Sequence, residues 1–136
     1  MLRDQKIGYF STQEFVKFDP RASAKTYGKI ISIIKILNPI RSALKQPIVI
    51  LSASRSLEHE KSMGRTGKSQ HYYPNGKGAV DVTCKPEKLE ELYNLLLGCD
   101  KISRVCIYRE NGFIHFDFKK SDHKKYVYDG EKWARV

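Results

Sequence analysis

The chain has few cysteines, and their arrangement gives them no obvious structural role. The three, at positions 84, 99 and 106, form no Cys-x-x-Cys pair, and an odd number cannot pair completely. A fully paired disulfide framework is therefore excluded. We expect reduced thiols that act as small, mostly buried hydrophobic side chains.

Long apolar runs are also absent. The longest, residues 30–37, is interrupted by Ser32 and Lys35 and is too short to span a bilayer. The first residues lead into no apolar stretch of the signal-peptide type. We therefore expect a soluble product made in the cytoplasm without a signal peptide, and no membrane insertion. No repeat, low-complexity stretch or linker divides the 136 residues, which predicts one domain over 1–136.

Acidic residues are in the minority. Lysine and arginine number 25 against 15 aspartates and glutamates, so the formal charge is +10. Such a charge attracts nucleic acid, anionic lipid and the anionic polymers of a bacterial cell wall. The basic residues are scattered, however, and neither a basic recognition helix nor an aromatic-basic motif is present. We expect no specific nucleic-acid partner.

The first half of the chain combines a helical pattern with one strand and a long polar loop. Apolar residues at helical spacing predict a helix over residues 27–37, which Asn38-Pro39 ends or kinks, and one or two further turns can follow through residues 40–44. The continuous run at 48–51 predicts a buried strand. The polar, glycine-rich stretch 56–78 is typical of a functional loop, with one short helical turn near 58–63.

The second half predicts strands around one helix. Residues 79–83 predict a strand, and Pro86 begins a helix that ends before Gly98. Residues 104–109 and 113–118 predict a hairpin that turns at Asn111-Gly112, and a last hairpin joins 126–128 to 132–135. This order indicates an α+β fold with an antiparallel sheet and flanking helices.

Two polar side chains interrupt apolar strands. Asp81 lies within residues 79–82 and His115 within 113–116, where an unpaired polar group is costly. Taken singly, each has an ordinary alternative, since Asp81 could form a turn and His115 could be a hydrogen-bonded core residue. Together with His71 they provide the three ligands of a catalytic zinc, with a fourth position open.

Four ordered segments place these residues in a family context. The chain resembles the Ser-x-x-Arg…Gly…Ser-x-His-x-x-Gly-x-Ala-x-Asp pattern of the zinc D-alanyl-D-alanine peptidases. The matching positions are residues 54–55, Gly64, residues 69–71, and then Gly76, Ala79 and Asp81. Residues 113–117 resemble the closing strand of a branch with a Phe-Val-His-Val-Asp type signature. That branch is also similar to this chain over residues 9–15 and 37–41.

The resemblance implies a fold of the hedgehog and D-alanyl-D-alanine peptidase type, forming one zinc peptidase domain. Zn²⁺ would lie on His71, Asp81 and His115. Members of this family cut peptide bonds in bacterial peptidoglycan stem peptides, and several are phage or small-virus lysis proteins. The implied partner is therefore a peptidoglycan peptide, the implied place of action is the bacterial cell wall, and we expect a monomer.

The resemblance also implies roles around the metal. Arg55 has the position of the family's arginine and would stabilise the developing oxyanion or bind the substrate carboxylate. Its ordinary alternative is a surface salt bridge. Ser69 and Gln70 would hydrogen-bond the peptide or shape the loop, and Tyr72 would cover the substrate or pack.

Two departures from the family pattern matter. Nine residues lie between His71 and Asp81, where the family usually has six, and a turn at 74–76 can absorb the insertion. Many relatives carry a carboxylate as catalytic base three residues before the second histidine, and here that residue is Gly112. The candidate bases are Asp117 and Glu110. The alternative is a catalytically impaired zinc-containing domain with a binding or structural role.

Overall fold

The computed structural model describes residues 4–65, 68–74 and 76–136. Its α-helices are α1 (Ala24–Leu44), α2 (Leu57–Ser62) and α3 (Leu89–Leu97), and 3₁₀ turns cover Thr12–Phe15 and Pro86–Lys88. The strands are β1 (Lys6–Ile7), β2 (Phe10–Ser11), β3 (Val49–Ser52), β4 (Ala79–Thr83), β5 (Arg104–Tyr108), β6 (Phe113–Asp117), β7 (Lys125–Tyr128) and β8 (Trp133–Arg135). The predicted α+β class is confirmed.

Six strands form the main sheet, in the order β3-β4-β6-β5-β7-β8. Neighbouring strands are antiparallel except for β5 and β7, which run parallel. The expected antiparallel sheet thus contains one parallel pair. The reason is that β6 occupies one side of β5, so the chain passes over to the other side and places β7 there. Both predicted hairpins, β5-β6 and β7-β8, are present.

Helix α1 continues through Pro39. It begins after Ser23, whose hydroxyl accepts a hydrogen bond from the Thr26 amide at 3.2 Å, and ends at Lys45 with φ of 61°. Of the outcomes predicted at Asn38-Pro39, an end of the helix is wrong, and the further turns predicted through residue 44 belong to the same helix. Proline leaves the carbonyl of Lys35 without its helical donor, but both residues face solvent, so water can serve that carbonyl. Among the described residues, no helix is long and apolar enough to cross a bilayer.

Strand β3 is an edge strand with only one covered face. Ile50 and Ser52 are buried, whereas Val49 and Leu51 are exposed. The prediction of a fully buried strand is wrong, because a continuous apolar run does not reveal whether a second layer covers it. The Lys17 ammonium donates to the Ile50 carbonyl and so occupies part of the free edge.

The two faces of the sheet have different roles. Apolar residues of β4, β5 and β6 point towards α1 and α3 and form the core with them. Because side chains alternate along a strand, the intervening residues point to the opposite face. Asp81 in β4 and His115 in β6 are direct register partners on that face. The polar residues of two core strands thus meet away from the core.

Candidate metal centre

His71, Asp81 and His115 converge in the structure. The Nδ1 atom of His115 lies 2.9 Å from Oδ1 of Asp81, and Nε2 of His71 lies 3.5 Å from the same oxygen. One ligand atom from each residue lies within 4.8 Å of the others. Two imidazole nitrogens and a carboxylate oxygen are the donor set of many catalytic zinc sites. The three residues form a possible metal site.

A hydrogen bond to the backbone fixes the orientation of the His71 ring. Its Nδ1–H donates to the Ala53 carbonyl at 2.8 Å, which fixes the tautomer and leaves the Nε2 lone pair facing Asp81. The backbone carbonyl of His71 accepts the Arg55 amide at 2.8 Å. The loop that carries His71 is therefore fastened to the chain that leaves β3.

The ring of His115 is held by Asp117. The Nε2–H of His115 donates to Oδ2 of Asp117 at 2.8 Å, which leaves Nδ1 to face Asp81. Asp117 is fully buried, and its Oδ1 also accepts Nε of Arg104 at 2.9 Å. A carboxylate on the far nitrogen of a ligand histidine is the usual support of a zinc site.

The electrostatics of the cluster favour a cation. Burial by itself would raise the pKa of Asp81, but the hydrogen bond with His115 and the nearby ring of His71 outweigh it and hold that pKa below its usual value. Burial likewise opposes the charged form of His115, yet its bonds to Asp117 and Asp81 raise its pKa. Two ionised carboxylates thus share the partly buried ring of His115. These donors fit a divalent metal, which would supply the positive charge in place of the proton.

Arg55 lies beside the cluster and is buried, with 8% of its surface exposed. Its Nε donates to the Ser52 hydroxyl at 3.0 Å, and Nη2 lies 3.5 Å from Oδ2 of Asp81. The alternative of a surface salt bridge does not describe this position. The guanidinium faces the carboxylate of a candidate metal ligand, where a fixed positive charge can act on substrate.

Sequence reasoning missed Glu60. This residue of α2 is fully buried, and its Oε2 lies 3.8 Å from Nη1 of Arg55 and 3.4 Å from Nη1 of Arg65. Its Oε1 has no hydrogen-bond partner among the described residues. The sequence signal that could have indicated its ion pairs is that Arg55 and Arg65 lie five positions before and five positions after this glutamate. Glu60 therefore belongs to the environment of Arg55.

Two of the predicted substrate-binding residues lie beside the cluster. The Ser69 hydroxyl accepts the His71 amide at 3.1 Å, and Oε1 of Gln70 accepts the Lys77 amide at 2.8 Å. Both line a cleft next to His115. Tyr72 is half-buried and does not line that cleft, and its carbonyl accepts the Gly76 amide at 2.8 Å.

The long spacing between His71 and Asp81 is accommodated by a fastened loop. The ammonium of Lys29 in α1 donates to the carbonyls of Tyr73 and Gly76, the latter at 3.0 Å. Of the turn expected at 74–76, Asn75 lies outside the described residues. Two carbonyls of the insertion are thus tied to α1.

The candidate bases lie in different surroundings. Asp117 contacts His115, whereas Glu110 is exposed in the β5-β6 turn and borders another cleft, with Tyr128 and Gly130 among its lining residues. Gly112, at the position where relatives carry a carboxylate, adopts φ of +73°. Residues with a side chain rarely adopt this conformation, which accounts for glycine there.

Comparison with known proteins agrees with the geometry. A family model described as Peptidase M15 matches residues 5–117. Curated proteins and solved structures give no significant match. The matched range covers most of the chain and includes His71, Asp81, His115 and Arg55. The chain therefore belongs to the peptidase M15 family, the zinc D-alanyl-D-alanine peptidases.

Proposed function

We propose that this protein is a zinc peptidase that hydrolyses peptide bonds in bacterial peptidoglycan stem peptides or cross-links. The observation that carries the proposal is the convergence of three donor atoms, from His71, Asp81 and His115, beside a buried arginine. Membership of the peptidase M15 family supports hydrolase chemistry on a peptide.

The residues have distinct roles in this proposal. Nε2 of His71, the carboxylate of Asp81 and Nδ1 of His115 hold the zinc. When bound, zinc acidifies water and polarises the scissile carbonyl. Arg55, fixed by Ser52, presents its guanidinium to the negative charge that develops on the carbonyl oxygen.

Asp117 and Glu110 are the candidates for accepting the proton of the attacking water. Asp117 is already in place, but its carboxylate is shared between His115 and Arg104. That sharing suits a group that orients a ligand histidine. Glu110 is exposed and must approach the substrate from the β5-β6 turn.

The charge of the chain supports a cell-wall substrate. A net charge of +10 attracts the anionic polymers of a bacterial wall, which brings the enzyme to its stem peptides. We propose that the protein acts at the bacterial cell wall as a monomer. One setting for this action is a virus-infected host, in which the protein would serve as a lysis protein. Binding to whole walls should weaken as the salt concentration rises.

The test is mass spectrometry of purified peptidoglycan digested with and without a chelator. We expect new peptide termini that vanish with the chelator and return with added zinc. The matched control is His71→Ala, which should lose both zinc and cleavage. Cleavage by the chelated enzyme, or full zinc binding by His71→Ala, would contradict the proposal.

A catalytically impaired zinc-containing domain is the second candidate. The observation that favours it is Gly112, which has no side chain at the position where many relatives carry the base. Its positive φ also disfavours a residue with a side chain there. The same experiment separates the two functions. Stoichiometric zinc without cleavage of peptidoglycan or free stem peptides would support a binding or structural role.

A further inference from the structure

Four aromatic side chains form a row on the face of the sheet that carries the metal cluster. Tyr108 stacks on Phe113 and on Tyr128, with 4.4 Å and 4.5 Å between ring centroids and interplanar angles of 12° and 25°. Trp133 donates from Nε1 to the Tyr108 hydroxyl at 2.6 Å, and its ring centroid lies 5.0 Å from that of His115. This aromatic row therefore extends from a candidate metal ligand across β6, β5, β7 and β8.

The hydrophobic core does not account for the aromatic row. The core lies between the helices α1 and α3 and the opposite face of the sheet. The four side chains of the row are only half-buried. Contiguous apolar surface that stays in contact with water commonly marks a binding site. The row is thus available to a ligand that extends beyond the metal cluster.

The aromatic row ends at a cleft of about 210 Å³ between two turns. Tyr128 lines this cleft together with three exposed polar residues, namely Glu110 and Asn111 of the β5-β6 turn and Asp129 of the β7-β8 turn. Oδ1 of Asp129 accepts the amides of residues 131 and 132, each at 2.9 Å, which fixes the second turn. Among the described residues that line the cleft, none is a candidate metal ligand.

The lining of this cleft suits a sugar ring. Carboxylates accept hydrogen bonds from hydroxyl groups, and the side-chain amide of Asn111 can both donate and accept. The face of an aromatic ring is negative and attracts the weakly positive C–H groups of a pyranose. Tyr108 holds the Tyr128 ring by stacking, and the Tyr128 hydroxyl donates to the Gly130 carbonyl at 3.0 Å. Tyr128 is therefore a fixed aromatic wall beside polar groups.

We propose that this cleft binds one pyranose unit of the glycan strand to which the stem peptide is attached. The inference rests on the proposed function for the source of the sugar, and it adds a glycan subsite to the peptide site. Sites for whole small-molecule ligands occupy roughly 300–1,000 Å³, so the cleft fits one unit of a longer ligand.

The separation of the cleft from the metal cluster fits such a substrate. Tyr128 lies two strands across and two residues along from His115, which corresponds to roughly 12 Å. About three extended residues span that distance. A sugar in the cleft and a peptide bond at the metal can therefore belong to one molecule, with the aromatic row between them.

The first experiment titrates the zinc-loaded full chain with chitotetraose, an oligomer of N-acetylglucosamine without a stem peptide, by isothermal titration calorimetry. We expect saturable binding that a chelator does not change. Tyr128→Leu should weaken it by about tenfold or more, and Tyr128→Phe, which keeps the ring, should bind nearly as the wild type does. No binding by the wild type, equal binding by Tyr128→Leu, or loss of binding with the chelator would overturn the proposal.

The second experiment compares hydrolysis of a stem peptide attached to its disaccharide with hydrolysis of the same free peptide. In the wild type, kcat/KM should be about tenfold higher for the attached peptide, and Tyr128→Leu should lower this ratio to about one. The matched control Tyr9→Leu should keep the ratio, because Tyr9 lies between β1 and β2 against Arg41.

The two experiments separate this inference from the proposed function. Equal ratios in the wild type and Tyr128→Leu would overturn the glycan subsite although the chain is a peptidase. If the wild type cut neither peptide, the proposed function would fail, and the calorimetric titration would still decide whether the cleft binds a sugar.

Discussion

Among single residues, Asp117 connects the candidate metal ligands to the rest of the sheet. It accepts hydrogen bonds from His115 and from Arg104 across the strand. Burial opposes its ionisation, but these two partners hold its pKa below the usual value. Asp117 thus remains an anion that fixes the ring of His115 through its far nitrogen.

Replacing Asp117 by Asn should weaken zinc binding by about 10- to 100-fold, because the amide is a poorer acceptor for Nε2–H of His115. Competition with a chromophoric chelator measures this affinity. Asp122→Asn, at an exposed position, is the control and should bind zinc normally. If Asp117 were instead the proton acceptor, saturating zinc would fail to restore turnover although the metal was bound.

We expect Glu60 to act as a positioning residue for Arg55, since its carboxylate lies 3.8 Å from Nη1 of that arginine. Glu60→Gln removes the buried charge next to Nη1 of Arg55 and changes none of the candidate metal ligands. We expect kcat to fall about tenfold, with unchanged zinc affinity, because Arg55 is held less firmly. The exposed Glu58→Gln is the matched control. Unchanged turnover, or loss of zinc, would show that Glu60 does not act through Arg55.

The residues that sequence reasoning selected and those it missed differ in what makes them recognisable. Asp81 and His115 stand out because they interrupt apolar strands, and the structure places them face to face. Glu60 gives no such signal, because its burial arises only when α2 packs in the folded chain. The roles proposed for the site residues stay predictions.

At the scale of elements, one side chain of α1 helps to hold the loop that carries His71. Lys29→Met removes the donor to the carbonyls of Tyr73 and Gly76. Charged hydrogen bonds contribute about 1.5–3 kcal/mol each. Because Lys29 is only half-buried, water weakens both bonds, and we expect a loss of roughly 2 kcal/mol for the pair in the free energy of unfolding, with weaker zinc binding.

Urea unfolding followed by circular dichroism, together with a zinc titration, measures both effects. Lys25→Met is the matched control, since Lys25 is an exposed lysine of the same helix. A similar loss of stability in the control would assign the effect to helix α1 as a whole and contradict a specific clamp on the loop.

Local signals predicted most elements, and non-local contacts account for the errors. The Asn-Gly turn between two strand patterns was enough to predict the β5-β6 hairpin. The parallel pairing of β5 with β7 has no local signal, because it depends on which edge of β5 is still free. The exposure of Val49 in β3 depends in the same way on the position of the strand in the sheet.

At the scale of the whole molecule, zinc should stabilise the folded chain. A metal that binds only the native state adds about 2.7 kcal/mol when its free concentration is 100 times the Kd. For a chain of this size we expect a rise in Tm of roughly 10 °C. Differential scanning fluorimetry with and without a chelator measures it. His71→Ala should show almost no shift, and an equal shift there would place the stabilising metal elsewhere.

The register of β4 against β6 also has a consequence for how the chain folds. Asp81 and His115 are 34 residues apart and meet only when these strands pair. A slip by one residue would turn one of the two side chains to the opposite face. We therefore expect that zinc does not nucleate the folding of this chain, in contrast to a zinc finger. We expect a refolding chain to bind zinc late, after its central strands have paired, so the rate of zinc uptake would report the pairing of β4 with β6.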